Sequence, residues 1–361
     1  MLQELNYLIG LTLIKGIGPI NAKKLVAYCG GVEAVFKENA KALEKIPNIG
    51  PALIKQITSS RILKKAQNEI TFIEKNNLTC YSFWDKRYPK KLKECIDAPI
   101  LLFSKGNTNF SNTRVISVVG TRLATSYGLS FCKEFFSDLK EYNPLVVSGL
   151  AYGIDKYAHK EALNNRLQTV GVLAHGLDTL YPKLNKPLAQ HMLLNGGLLT
   201  EFLSGTNLIK ENFVRRNRII AGISDATIVV QSDLKGGAMI TAHMANSYNR
   251  EVFALPSNYK DKHSKGCHQL IKSHQAHLMT SAKDLLDSLS WNSKIKPQQK
   301  TLFEHTQEEK DLIKLISKYD GIHIDVIHSL SQLSRQSLAE TLMKLELEGV
   351  ISKKPGNLFI T

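Results

Sequence analysis

The chain has 361 residues, 43% hydrophobic and 22% charged, with a formal net charge of +15. This length suits two or three domains with ordinary cores. No signal-like N-terminus or long uncharged apolar run is present, and the five cysteines (Cys29, Cys80, Cys95, Cys132, Cys267) never form a CxxC pair. A cytoplasmic protein without membrane segment, disulfide framework, metal site or cofactor is expected.

The charge is unevenly spread. Residues 1–75 carry eleven Lys/Arg against six acids, and residues 301–361 carry seven against nine, which leaves +12 for residues 76–300. A basic middle points to a polyanionic partner, most often nucleic acid.

Residues 1–75 read as a helical domain. Lys15-Gly16-Ile17-Gly18-Pro19 and Pro47-Asn48-Ile49-Gly50-Pro51 each place a glycine hairpin between two helices, with the proline in the first turn of the second. Paired helix-hairpin-helix units have this form, and their hairpin N–H groups suit phosphates; a small helical domain with ordinary turns has it too. Residues 76–112 read as a connector with short strands at 80–84 and 101–103.

From 114 to 289 the pattern alternates. Strands are expected at 114–119, 144–148, 168–173, 198–202, 226–231 and 250–255, with helices between most of them. That rhythm predicts an α/β fold: a Rossmann-like, doubly wound, mostly parallel sheet with ligands at the carboxyl ends of its strands. The first of these strands runs into Gly120, Thr121 and Arg122, and Ser126 can cap the helix that follows. A strand, a tight glycine turn and a helix start make an anion site, to which Arg122 adds a guanidinium fork. Ser148, Gly149 and Ala151 form a second small-residue turn, and Lys235, Gly236 and Gly237 a third. Arg215, Arg216 and Arg218 add charge; the spacing of three puts Arg215 and Arg218 on one face and turns Arg216 away. One of the three can equally serve as an ion-pair partner of Asp155 or Glu201. Tyr127, Tyr152 and Tyr181 lie near the turns and suit base stacking or wall packing.

Residues 290–303 read as a polar linker. Residues 304–361 read as three helices and a hairpin of strand-like 350–352 and 358–360, the pattern of a winged helix.

The segments VVGTR (118–122), SGLAYGID (148–155), GLDTLYP (176–182), RNRIIAG (216–222) and KGGAMITA (235–242) stand in one order. In that order they resemble the DNA-processing protein A (DprA/Smf) family. The resemblance implies a Rossmann-like DNA-binding domain over 76–289, an N-terminal helix-hairpin-helix (SAM-like) domain and a C-terminal winged helix. It further implies a non-enzymatic homodimer that binds and protects incoming single-stranded DNA and helps load the RecA recombinase in natural transformation. Gln231, Ser257 and His274 depart from the family pattern, which has an acid, a glycine and a Gly-Ala pair in their regions.

An enzyme reading stands beside it. Asp155, Asp178, Glu201 and Asp225 would supply a carboxylate set, and Gly236-Gly237 is similar to the turn of nucleotide-monophosphate phosphoribohydrolases, without that turn's proline and later Thr-Glu. Neither GxGxxG with its ribose acid nor a P-loop is present. His274 and His277 have the spacing for a shared ion but no partner nearby, and His159 lies at helical spacing from Asp155.

Overall fold

The computed structural model describes residues 2–110, 114–291, 306–319, 321–331, 333–347, 350–354 and 356–360. They fall into two compact units, Met1–Asn292 and Ser293–Thr361.

The first unit opens with helices Leu2–Leu13, Pro19–Cys29, Val32–Lys37, Ala40–Glu44, Pro51–Ile57 and Ser60–Lys75. Pro19 and Pro51 stand in first turns, where a missing N–H leaves no intrahelical bond unmade. Leu8, Ile9, Leu25, Val35, Leu43 and Ile57 form a core that also takes in Ile100, Leu101 and Phe103 from the sheet. Two polar ties add to this burial. Lys23 Nζ donates to Ile96 O at 2.6 Å, and Glu69 accepts from Ser204 N at 2.9 Å.

The sheet has nine strands: β1 Thr79–Ser82, β2 Leu101–Gly106, β3 Val115–Val119, β4 Leu145–Ser148, β5 Thr169–Val172, β6 Gly196–Thr200, β7 Ala226–Val229, β8 Glu251–Ala254 and β9 His277–Leu278. Their order is β1-β2-β6-β5-β4-β3-β7-β8-β9. The pairs from β6 to β9 are parallel, while β2 joins β6 and β1 joins β2 antiparallel. From β3 the chain winds one way to β6, then returns to the other side of β3 as β7. The strands therefore diverge between the carboxyl ends of β3 and β7, the place where doubly wound sheets hold ligands.

Alternate residues of each strand feed opposite faces, as the two-residue period requires. Val115, Val119, Leu145 and Val147 pack under the helices Lys210–Ile223 and Gly237–Ser247. Ile116, Val118, Val146 and Ile228 pack under Ser126–Leu139, Ile154–Asn164 and Ala282–Ser288. Both faces are covered, which is why the strands read as continuous apolar runs. The expected linker at 290–303 starts inside this core, with Trp291 buried in it, and 292–303 lie outside the described residues.

The strand expected at 198–202 occupies Gly196–Thr200 instead. Glycine pairs read as loop, but here small size is what pairing demands. At Gly196, with φ 132°, a Cβ would stand 2.7 Å from Thr169 N, and at Gly197 one would stand 2.6 Å from Thr108 Oγ1. β5 on one side and the segment after β2 on the other leave no room for a side chain.

The second unit holds helices Gln307–Ser317, Ile324–Ser331 and Arg335–Leu347, with strands β10 Ile322–His323, β11 Ser352–Lys354 and β12 Leu358–Ile360 in the order β10-β12-β11. Thr306 and Glu309 cap its first helix reciprocally. Leu312, Ile316, Ile327, Leu338, Leu342 and Phe359 make its core. The hairpin's first strand lies two residues later than expected, and β10 has no counterpart among the expected strands. The expected helix stop at Gly349 and the turn residue Pro355 lie outside the described residues.

Gly196→Ala is expected to destabilise the first unit by on the order of 3 kcal/mol, from a Cβ in a positive-φ site without space. Thermal melting by circular dichroism checks this; an unchanged midpoint would show that β5 and β6 can separate to admit a methyl group.

Candidate nucleic-acid interface

At the carboxyl end of β3 the chain turns through Gly120, Thr121 and Arg122. The Thr121 backbone is held on both sides: its N–H donates to Gln231 O at 2.7 Å, and its carbonyl accepts from Ile154 N at 3.1 Å. One residue thus ties together the turns that follow β3, β4 and β7. Small size is needed at the crossings. A Cβ on Gly120 would lie 2.6 Å from Ile154 Cγ1, and one on Gly153, whose φ is 74°, would lie 2.6 Å from Arg122 C. The helix begins at Ser126, but its N-cap is Thr125 and not Ser126 as expected. The reason lies across the sheet. The buried Gln231 side chain accepts from Thr125 N at 3.0 Å and donates to Thr125 Oγ1 at 2.9 Å.

The second turn, 148–155, is built around a buried pair. Ser148 Oγ donates to Val118 O at 2.6 Å, which fixes the end of β4 against β3. Asp155 accepts from Gly149 N at 3.1 Å and Ala151 N at 3.4 Å. Arg216 donates to Gly149 O at 2.8 Å and to Val172 O. Burial pushes the Asp155 carboxyl up, against the pull of Arg216, and draws the Arg216 guanidinium down to about 10. Leu150 takes a left-handed φ of 56°, kept by its buried side chain and by Asn185 Nδ2 donating to its carbonyl at 2.8 Å.

Over this floor lies a cavity of about 460 Å³. It is walled by the turn 120–122, the helix face Lys210–Phe213–Asn217 and the turn 232–237. Arg122, Lys210 and Lys235 are exposed on it, and none forms an ion pair among the described residues. Gly236 caps the helix Gly237–Ser247, whose first N–H groups lack intrahelical acceptors. Phe213 in the wall meets the Tyr181 ring edge-on at 5.9 Å, and Tyr181 is 41% exposed. The arrangement offers exposed cations at the rim, backbone donors at the helix start and an aromatic flank, which suits an unpaired phosphodiester strand better than a compact metabolite.

Of the residues singled out in the sequence, Gly120, Thr121, Arg122, Ala151, Arg216, Lys235, Gly236 and Gly237 line this cavity. Ser148 and Gly149 lie behind it as buried scaffold. Arg215 and Arg218 share one face, as their spacing implies, and that face meets Glu201: Arg215 Nη2 at 2.8 Å and Arg218 Nη2 at 2.6 Å. Arg218 also donates to Asp97 O and is buried, so its fork is spent within the fold. Arg215 stays half exposed, over the Phe202 ring, and faces a separate hollow beside the helical layer. Lys210 was missed. Its signal was the spacing Lys210–Phe213–Asn217, one face of a helix whose other charges drew attention.

The carboxylates do not form a set. Asp155 binds backbone, Glu201 binds two arginines, and Asp225, just ahead of β7, accepts from Val115 N at 2.7 Å and pairs with Lys91 at the opposite edge. His159 does not pair with Asp155. Thr169 Oγ1 donates to Val146 O at 3.0 Å and therefore accepts from His159 Nδ1 at 2.6 Å. His277 pairs with Glu251 at 2.9 Å, and among the described residues no group of three potential metal ligands occurs. No described helix is long and apolar enough to cross a membrane. Of the departures, Ser257 Oγ donates to Asp261 at 3.1 Å, and His274 occupies a left-handed turn with φ 54°.

The model of the family described as DNA recombination-mediator protein A matches residues 79–290. The chain belongs to that family. The DprA winged helix domain matches residues 296–357. Among relatives of the DNA recombination-mediator family, Protein Smf of Synechocystis is 29% identical over 98% of each chain. DNA processing protein DprA of Streptococcus pneumoniae is 40% identical over 57% of this chain and 72% of its own. The X-ray structure of S. pneumoniae DprA superposes with a TM-score of 0.65 and 32% identity, covering 78% of this chain and 97% of that one. The Helicobacter pylori protein, described for its single-stranded DNA binding mode, does so with 0.54 and 28%, over 60% of this chain and 96% of its own.

The buried His159 imposes a pH dependence. Burial first, and then the Arg216 charge, push its imidazole from 6.5 down to about 3. The folded state keeps it neutral, so its contribution to stability is present above 6.5 and is lost as pH falls from 6.5 through about 3, on the order of 5 kcal/mol in all. Denaturant melts over that range should show His159→Gln losing less stability on acidification than the parent; parallel curves would remove His159 as the group responsible.

Proposed function

We propose that this chain binds single-stranded DNA through phosphate contacts at the carboxyl edge of its sheet, with little sequence preference. In this reading it is a non-enzymatic, cytoplasmic homodimer that protects incoming DNA and helps load the RecA recombinase during natural transformation. The observation that carries the binding reading is the trio Arg122, Lys210 and Lys235: exposed, without ion-pair partners among the described residues, and grouped over glycine turns and a helix start at the sheet's switch point. The family and the single-stranded DNA described for the H. pylori relative support it. Of the remaining candidates, Thr121 supplies its hydroxyl and Gly237 a first-turn N–H; Gly120, Ala151 and Gly236 let the backbone approach closely, with the Ala151 and Gly236 N–H groups bound within the fold; Ser148, Gly149 and Arg216 hold the turns in place; Arg215 and Arg218 act through Glu201. The phosphoribohydrolase alternative needs carboxylates free to move protons, and those lining the cavity, Asp155 and Asp233, accept from backbone N–H groups.

Fluorescence anisotropy of a labelled single strand and a matched duplex, at two salt concentrations, tests the reading. The single strand should bind more tightly, and affinity should fall with salt as counterions are released, by a slope of about −0.7 per phosphate neutralised. Arg122→Ala should weaken binding about tenfold or more, in line with a lost charge-assisted hydrogen bond, and make the slope shallower. Equal weak binding of both forms, unchanged in the variant, would overturn it.

A further inference from the structure

The opposite edge of the sheet carries a second basic surface that the carboxyl-edge reading does not use. A hollow of about 360 Å³ opens there, walled by Lys86, Arg87, Tyr88, Lys90, Phe110 and Val115. Val115 is the first residue of β3, whereas the cavity described above begins at its last. The five residues of β3 hold the two places about 13 Å apart before any loop is added.

Residues 85–94 contain five cations and two carboxylates. Both acids are engaged: Asp85 with Arg87 at 2.6 Å and Glu94 with Arg250 at 2.8 Å. Lys91 pairs with Asp225. Lys86 and Lys90 are exposed and form no ion pair among the described residues. The frame beneath them is rigid. Leu92 and Cys95 are buried against Gly222, Tyr88 donates to Pro99 O at 2.8 Å, and Arg250 Nη2 donates to Lys91 O at 2.7 Å. Aromatic rings run through the cations. Arg87 lies 5.7 Å from the Tyr81 ring centre, Tyr81 meets Phe110 edge-on at 5.3 Å, and Trp84, 40% exposed, stands beside Phe83. Exposed cations on a fixed frame, with aromatics beside a hollow of this size, suit unpaired bases joined by phosphates; a paired duplex would keep its bases from the rings.

We propose that Lys86 and Lys90, with Trp84 as a stacking face, form a second single-stranded nucleic-acid site at the amino edge of the sheet, separate from the one at the carboxyl edge.

The test is the number of short oligothymidylates, too short to span both edges, that one full-length chain binds by calorimetric titration. The parent should bind two. Lys86→Ala/Lys90→Ala should bind one, and Arg122→Ala/Lys235→Ala should bind one. Trp84 and the buried Trp291 are the only tryptophans, so in the Arg122→Ala/Lys235→Ala background the oligomer should quench emission, and Trp84→Phe should abolish that quenching. One equivalent in the parent, unaffected by Lys86→Ala/Lys90→Ala, would overturn the second site and leave the carboxyl-edge reading standing. Binding lost only with the amino-edge variant would do the reverse. Circular dichroism of each variant, altered only at exposed side chains, separates lost binding from lost folding.

Discussion

The site depends on a single residue. Thr121 gives its N–H to the turn after β7 and its carbonyl to the start of the helix after β4. Turns on the surface are ordinarily free to drift, because water satisfies their polar groups as well as protein does. Here each turn satisfies another, so the three move together or not at all. That arrangement places backbone donors and Arg122 at fixed positions over the gap that strand order opens between β3 and β7. Gly120 and Gly153 are what allow the backbones to come this close.

Beneath that layer, Asp155 and Arg216 show how buried charge organises a surface site. Neither reaches far into the cavity. Each binds the backbone of the turn 149–151, and together they keep a left-handed Leu150 in place. The exposed cations provide attraction, while the buried pair provides shape. Glu201 has a similar role elsewhere on the sheet, just past β6, where Arg215 and Arg218 converge on it. Removing one member of such a group leaves its partner's charge buried without compensation, which disturbs far more than the lost contact.

The alternation of apolar runs with helical patterns made the doubly wound sheet legible, since strands covered on both faces must be apolar throughout. The turns after β3, β4 and β7 were legible for a related reason: glycine beside small polar residues marks places where backbones approach. Legibility failed where a partner distant in sequence decides the outcome. Thr125 stands at the N-cap position with its N–H and hydroxyl bound to Gln231, which arrives from 106 positions away. His159 faces Thr169, although helical spacing pointed to Asp155. Gly196 and Gly197 are strand, because β5 and the segment after β2 close on them. β9 and β10, at two residues each, are too short to leave any periodic trace. Arginine spacing left open which of Arg215, Arg216 and Arg218 pairs internally, and the pairing with Glu201 that it allowed is made by Arg215 and Arg218, the latter buried and also bound to Asp97 O.

β2 is a single strand with two neighbourhoods. Leu102 belongs to the core under the sheet's helices, and Leu101 and Phe103 belong to the core of the N-terminal helices. Six residues thus serve as a common wall. The helices cannot melt away and leave an intact sheet, because their departure would wet one side of a strand that closes the other core. The first unit is accordingly built to unfold as one cooperative body, with β2 as the seam through which loss of order on one side reaches the other.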